Sequence, residues 1–180
     1  IADHIRIDNS QPIYFPGTYS FEDQGTAEWG KLPPYCDQFY FVHMVHYYVK
    51  KTNDYQFLLK EINGLRLIDR LKLAFHVPPS TSTHLVYATE ALRGVDFGFR
   101  DAQTITGQLC FPSLLKYQAA NQLAEMLHSL QRQEANKYTA IARSIKESIP
   151  LVFMDERGML RASTERSQQA DVWSTALAIY

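Results

Sequence analysis

The densest group of reactive side chains is Val95-Asp96-Phe97-Gly98-Phe99-Arg100-Asp101. Asp96 and Asp101 flank two aromatic rings, a glycine and an arginine. Rings stack on sugar faces, Gly98 allows a ligand close to the backbone, and Arg100 between two acids tunes their protonation. The plainer alternative is a structural loop in which Arg100 pairs with one of the aspartates. Glu28 sits beside Trp29 in a loop bounded by Gly25 and Gly30. An apolar ring against a carboxyl raises its pKa by desolvation, which is what a general acid requires. An exposed loop acid with Trp29 packed inward is the competing reading. Asp37 and Asp171 each stand at the head of an apolar run, where helix capping competes with chemistry. Glu165 reads as an exposed acid.

Other chemistries find less support. His43 and His46 are three apart without a third ligand at a suitable spacing, so no metal is expected. Ser80, Ser82 and Ser113 lack the Gly-x-Ser-x-Gly elbow. Neither Gly-x-Gly-x-x-Gly nor a Walker A loop occurs, so no nucleotide cofactor is expected. Cys36 and Cys110 match no metal or redox spacing and read as small buried hydrophobes that leave the compartment undecided. A formal charge of −1 gives no field for nucleic acid or anionic lipid, and no apolar run reaches the ~20 residues of a membrane span.

The elements that must position these groups are mainly helical. Residues 1–36 read as irregular, punctuated by Pro12, Pro16, Gly17, Gly25, Gly30, Pro33 and Pro34, with a short strand at most around Ile13-Tyr14-Phe15. A first helical hairpin is expected over 37–77. Its first arm, from Asp37 to about Lys51, is apolar nearly all round and reads as buried. Its second arm is one amphipathic helix capped by Asp54, with Phe57, Leu58, Ile62, Leu65, Ile68, Leu71 and Phe75 on one face and Gly64 at a kink. Residues 78–109 form a loop region with a short strand near His84–Ala88. A second hairpin covers 110–150, turning near Gln133–Ala135. Over 151–180, Leu151–Met154, a turn at Asp155–Gly158 and Met159-Leu160 resemble a short β-hairpin, after which Asp171 opens a third helical hairpin. The mainly apolar last helix should seek a partner.

Four stretches resemble the (α/α)6 six-hairpin toroid glycosidases, the group containing glucoamylases, trehalases, processing α-glucosidases and the glucosidase half of glycogen-debranching enzymes. They are Gly25–Gly30 with Pro33-Pro34-Tyr35-Cys36-Asp37-Gln38-Phe39-Tyr40-Phe41, Tyr47–Leu58, Val95–Asp101 and Ala170–Ala178. The Glu-Ser-Gly-x-Asp signature of trehalases and processing glucosidases is absent. The resemblance implies a mainly α fold of helical hairpins, a glycoside hydrolase acting on an α-glucoside-like carbohydrate, and hydrolysis with inversion. It further implies Asp101 or Asp96 as the acid, Glu28 as a second carboxylate, and a sugar site furnished by Trp29, Tyr35, Asp37, Phe97, Phe99, Arg100 and Trp173. The hairpins read here make only part of a toroid, and Ile1-Ala2-Asp3 carries neither an initiator Met nor a signal-peptide pattern. The chain is therefore expected to be a single domain or part of a larger catalytic domain, with the remainder of that domain as partner. A sugar-binding module without hydrolysis and a helical protein-interaction module remain as alternatives.

Overall fold

A computed structural model describes residues 35–90 and 105–179. The described residues are mainly helical, with α1 at Asp37–Thr52, α2 at Leu67–His76, α3 at Cys110–Ser129, α4 at Ala135–Phe153 and α5 at Val172–Ile179. Two small antiparallel pairs, β1 (Glu61–Ile62) with β2 (Leu65–Arg66) and β3 (Tyr87–Ala88) with β4 (Gly107–Gln108), lie in the connections.

Helix α1 occupies the expected span and ends on Asn53 at φ +57°, the left-handed position that asparagine tolerates at a helix C-terminus. Lys50 and Lys51 in its last turn complement the helix dipole. The expectation of burial all round fails. Val42, Val45 and Val49 are buried, whereas Tyr40, Met44, Tyr47 and Tyr48 are exposed, because α2 and α3 cover one side only.

The second arm is not one helix. Asp54 does cap, its carboxylate accepting from Phe57 N at 3.2 Å, but the capped element is a short 3-10 helix, Tyr55–Leu59. Asn63 at φ +47° and Gly64 at φ +75° then form a two-residue turn between β1 and β2. Positive φ at both central residues is the hairpin turn that an Asn-Gly pair favours, and it overrides the helical spacing of the apolar residues. Only α2 remains helical, tied back to the hairpin by Arg70, whose Nε donates to Ile62 O at 3.1 Å. Its Phe75 ring meets Phe39 of α1 edge-on at 6.0 Å.

Helices α3 and α4 form the expected antiparallel hairpin. Gln131 at φ +56° closes α3, with Gln131 N bonding His128 O at 2.8 Å and Arg132 N bonding Leu127 O at 2.9 Å, the paired bonds of a Schellman ending. Leu151–Phe153, expected as a strand, is instead the last turn of α4, since the fixed φ of Pro150 is compatible with helix. The turn after it is as expected: Asp155 Oδ1 accepts from Arg157 N and Met159 N, each at 2.9 Å, and Met154 bridges Leu160.

Helix α3 is central, touching α1, α2, α4 and α5. Its contacts also set helix direction. His43 meets Gln122 and His46 meets Glu125, positions that rise together along both chains, so α1 and α3 run parallel. Phe111 meets Trp173 near the start of both helices, and Tyr117, Gln118, Ala178 and Ile179 line one cavity, so α5 runs the same way. The N-termini of α1, α3 and α5 thus lie at one end, and α4 returns along α3. No helix is long and apolar enough to cross a membrane among the described residues.

Candidate functional site

The shared N-terminal end of α1, α3 and α5 collects the described members of the predicted sugar site. Asp37 is the first residue of α1. The preceding Cys36 holds the N-cap position, its carbonyl accepting from Phe39 N and Tyr40 N at 3.0 Å, and no side chain makes the cap bond. Among the described residues, no hydrogen-bond donor and no cation pairs with the half-buried Asp37 carboxyl. Burial raises its pKa above the ordinary aspartate value, because a desolvated carboxylate loses hydration that nothing here replaces. The expected capping role is therefore not the one it plays.

Gln38, next in the helix, is fully buried, and neither its amide oxygen nor its amide nitrogen finds a partner. A buried amide left unpaired costs about 1–3 kcal/mol and is rare in native proteins. Sequence reasoning passed over Gln38. The available signal was its place on the stripe Gln38, Val42, Val45, Val49, whose other members are all apolar.

At the head of α5, Asp171 caps as expected. Its Oδ1 accepts from Trp173 N at 3.1 Å and its Oδ2 from Ser174 Oγ at 2.5 Å. Trp173 is 60% exposed, its ring edge-on to Phe111 with centroids 6.3 Å apart, which leaves indole surface open for stacking. Tyr35, by contrast, belongs to the core and is 2% exposed, so its ring offers no open platform. Glu28, Trp29, Asp96, Phe97, Phe99, Arg100 and Asp101 lie outside the described residues. Glu165 is exposed, as expected.

The histidines on α1 belong to a polar seam between parallel helices. His43 Nδ1 is 2.7 Å from Gln122 Nε2, and His46 Nε2 is 2.9 Å from Glu125 Oε2, whose other oxygen meets Lys50 Nζ at 2.6 Å. Lys50 and His46 together hold Glu125 below the usual carboxylate range. Both histidines are thus committed to positions on α3, and no three-residue metal cluster occurs among the described residues. Cys36 and Cys110 form no disulfide with each other and are buried, in keeping with their reading as small hydrophobes.

Neither a protein-family model, nor a curated protein, nor a solved structure matches the chain.

Proposed function

We propose that the chain is part of an (α/α) toroid catalytic domain of a glycoside hydrolase acting, with inversion, on an α-glucoside-like carbohydrate. The resemblance of Gly25–Phe41, Tyr47–Leu58, Val95–Asp101 and Ala170–Ala178 to that group motivates the reading. The observation that carries it is the Asp37 carboxyl, desolvated and without a partner among the described residues, at the end where α1, α3 and α5 all begin. A glycosidase needs one carboxyl that keeps its proton for the leaving oxygen and one carboxylate that activates water, about 6.5–9.5 Å apart when the reaction inverts. Burial shifts Asp37 in the direction that the first role requires. Asp101, Asp96 and Glu28 are the remaining candidates for the pair, Asp101 and Asp96 in the connector that leads into β4 and α3, Glu28 in the segment that leads into α1. Trp173 supplies a stacking face for a sugar ring at the same end.

The test is hydrolysis of maltose-type and trehalose-type substrates by the intact protein, followed by Asp37→Asn, Asp96→Asn, Asp101→Asn and Glu28→Gln. Loss of a general acid or base lowers kcat about 100- to 10,000-fold. Full rate in all four variants overturns the assignment. Sugar retained without product favours the binding-module reading, for which the open face of Trp173 is the supporting observation.

A further inference from the structure

An apolar recess lies on the flank of the molecule, between α4 and α5. Helix α3 packs against both and supplies its floor. The recess holds about 660 Å³, within the roughly 300–1,000 Å³ of ordinary small-molecule sites. Leu114 of α3, Ile149 of α4 and Leu160 of the turn that follows are buried, and Leu177 of α5 is half-buried beside them. Met154 and Ile179 also line it and stay exposed. Large apolar side chains left in water around a concave apolar surface mark a place where the apolar part of a ligand gains by burial. Thr175 leaves this character intact. Its Oγ1 donates to Asp171 O at 2.8 Å and accepts from Leu160 N at 3.0 Å, so the hydroxyl is committed to backbone in both roles.

A second cavity, of about 540 Å³, lies between α3 and α4 and shares Tyr117 and Lys146 with the first, so the two meet there. Its lining is polar. Asn121 Nδ2 donates to Tyr117 O at 3.1 Å and Thr139 Oγ1 to Ala135 O at 3.2 Å, which engages both side chains with their own helices. Arg143 and Lys146 stand one turn apart on α4, and among the described residues neither makes a hydrogen bond or an ion pair through its side chain. Glu147 lines the same cavity, likewise without an ion pair among the described residues. Two cations against one carboxylate leave a single net positive charge, which suits a monoanion better than a dianion and opposes a cation. The planar fork of arginine matches a carboxylate in particular.

We infer that the joined cavities bind a free monocarboxylate with an unbranched apolar chain. The chain lies in the recess over Leu114, Ile149 and Leu177, and the head group sits at the junction with Arg143 and Lys146. Neither cavity alone accounts for such a ligand; an apolar trough that opens onto uncommitted cations does. The site is independent of the glycosidase reading.

The experiment is isothermal titration of the intact protein with decanoate below its micelle concentration. Decyltrimethylammonium, with the same chain and the opposite charge, and butyrate, with the same charge and a short chain, are the comparisons. Decanoate should bind saturably at one per chain, and each comparison at least tenfold more weakly. Ala178→Trp, a change at an exposed position that fills the recess, should abolish binding. Arg143→Gln and Lys146→Gln, both at exposed helical positions, should each weaken decanoate about tenfold, the scale of one charge-assisted hydrogen bond, and leave decyltrimethylammonium no weaker. Circular dichroism confirms that the three variants are folded. Equal binding of decanoate and decyltrimethylammonium, no saturable binding of decanoate, or unchanged decanoate affinity in folded Ala178→Trp overturns the inference. Self-association that Ala178→Trp abolishes and decanoate leaves intact, read by analytical ultracentrifugation, assigns the recess to a second copy and overturns it too.

Discussion

Replacing Gln38 by leucine should stabilise the protein. The side chain is fully buried, and both polar atoms of its amide are unpaired, so the folded state bears a desolvation cost that the unfolded chain does not. Protein substitution data put that cost at about 1–3 kcal/mol. Leucine nearly matches glutamine in volume and extends the Val42, Val45, Val49 stripe, so the packing penalty of the exchange is small. For a chain of this size, about 2–4 °C of Tm per kcal/mol converts the gain to roughly 2–12 °C. Gln122→Leu is the internal control. Gln122 also has an unpaired Oε1, but its Nε2 is 2.7 Å from His43 Nδ1, and losing that bond leaves a ring nitrogen stranded. It should show no gain or a net loss. Differential scanning calorimetry of the two variants beside the parent decides the matter. A lower Tm for Gln38→Leu, or equal rises for both, would refute the argument, since either result means that the Gln38 amide is satisfied in solution. If the amide is retained for a ligand, the more stable Gln38→Leu protein will also bind sugar more weakly, the usual trade between stability and a strained site.

Two glycines at positive φ should respond differently to alanine. Gly64→Ala meets open space at φ +75° and should cost about 1–2 kcal/mol of backbone strain. Gly107→Ala at φ +85° places a methyl group 2.5 Å from Thr164 Oγ1 and 3.0 Å from Glu165 N, so denaturant titration should show a clearly larger loss. The Asp37 carboxyl makes a pH-dependent prediction. Because its pKa is raised in the folded state, folding favours the protonated form, and the associated stability is full below the unfolded value of 3.8 and lost as pH rises through the folded value. Asp37→Asn should therefore raise Tm at pH 7 and leave it unchanged near pH 3. A gain of equal size at both pH values would show that charge is not the cause.

Much of the helical framework was legible from local pattern. The spans of α1, α3 and α4, the Asp54 and Asp171 caps and the turn after Asp155 follow from apolar spacing and from side chains that bond their own backbone a few residues away. The failures have equally local causes. Leu58, Ile62, Leu65 and Ile68 at helical spacing predict one helix kinked at Gly64, whereas Asn63-Gly64 makes a hairpin turn there. The second hairpin is expected to end at residue 150, whereas α4 accommodates Pro150 and ends three residues later. Of the predicted site, Asp37 and Trp173 fall at a common helical end and Tyr35 in the core, and the remaining positions lie beyond the described residues.

Residue order alone specified that the chain makes helical hairpins, where most of them begin and end, and which acids and rings stand at their mouths, because caps, turns and amphipathic periods act over one to seven residues. It could not specify that α1, α3 and α5 run the same way or that Gln38 is shut away without a partner. Those facts depend on contacts between residues tens of positions apart, such as His43 with Gln122 and Ser80 with Lys116, and burial and electrostatics take their values only when packing has brought such pairs together.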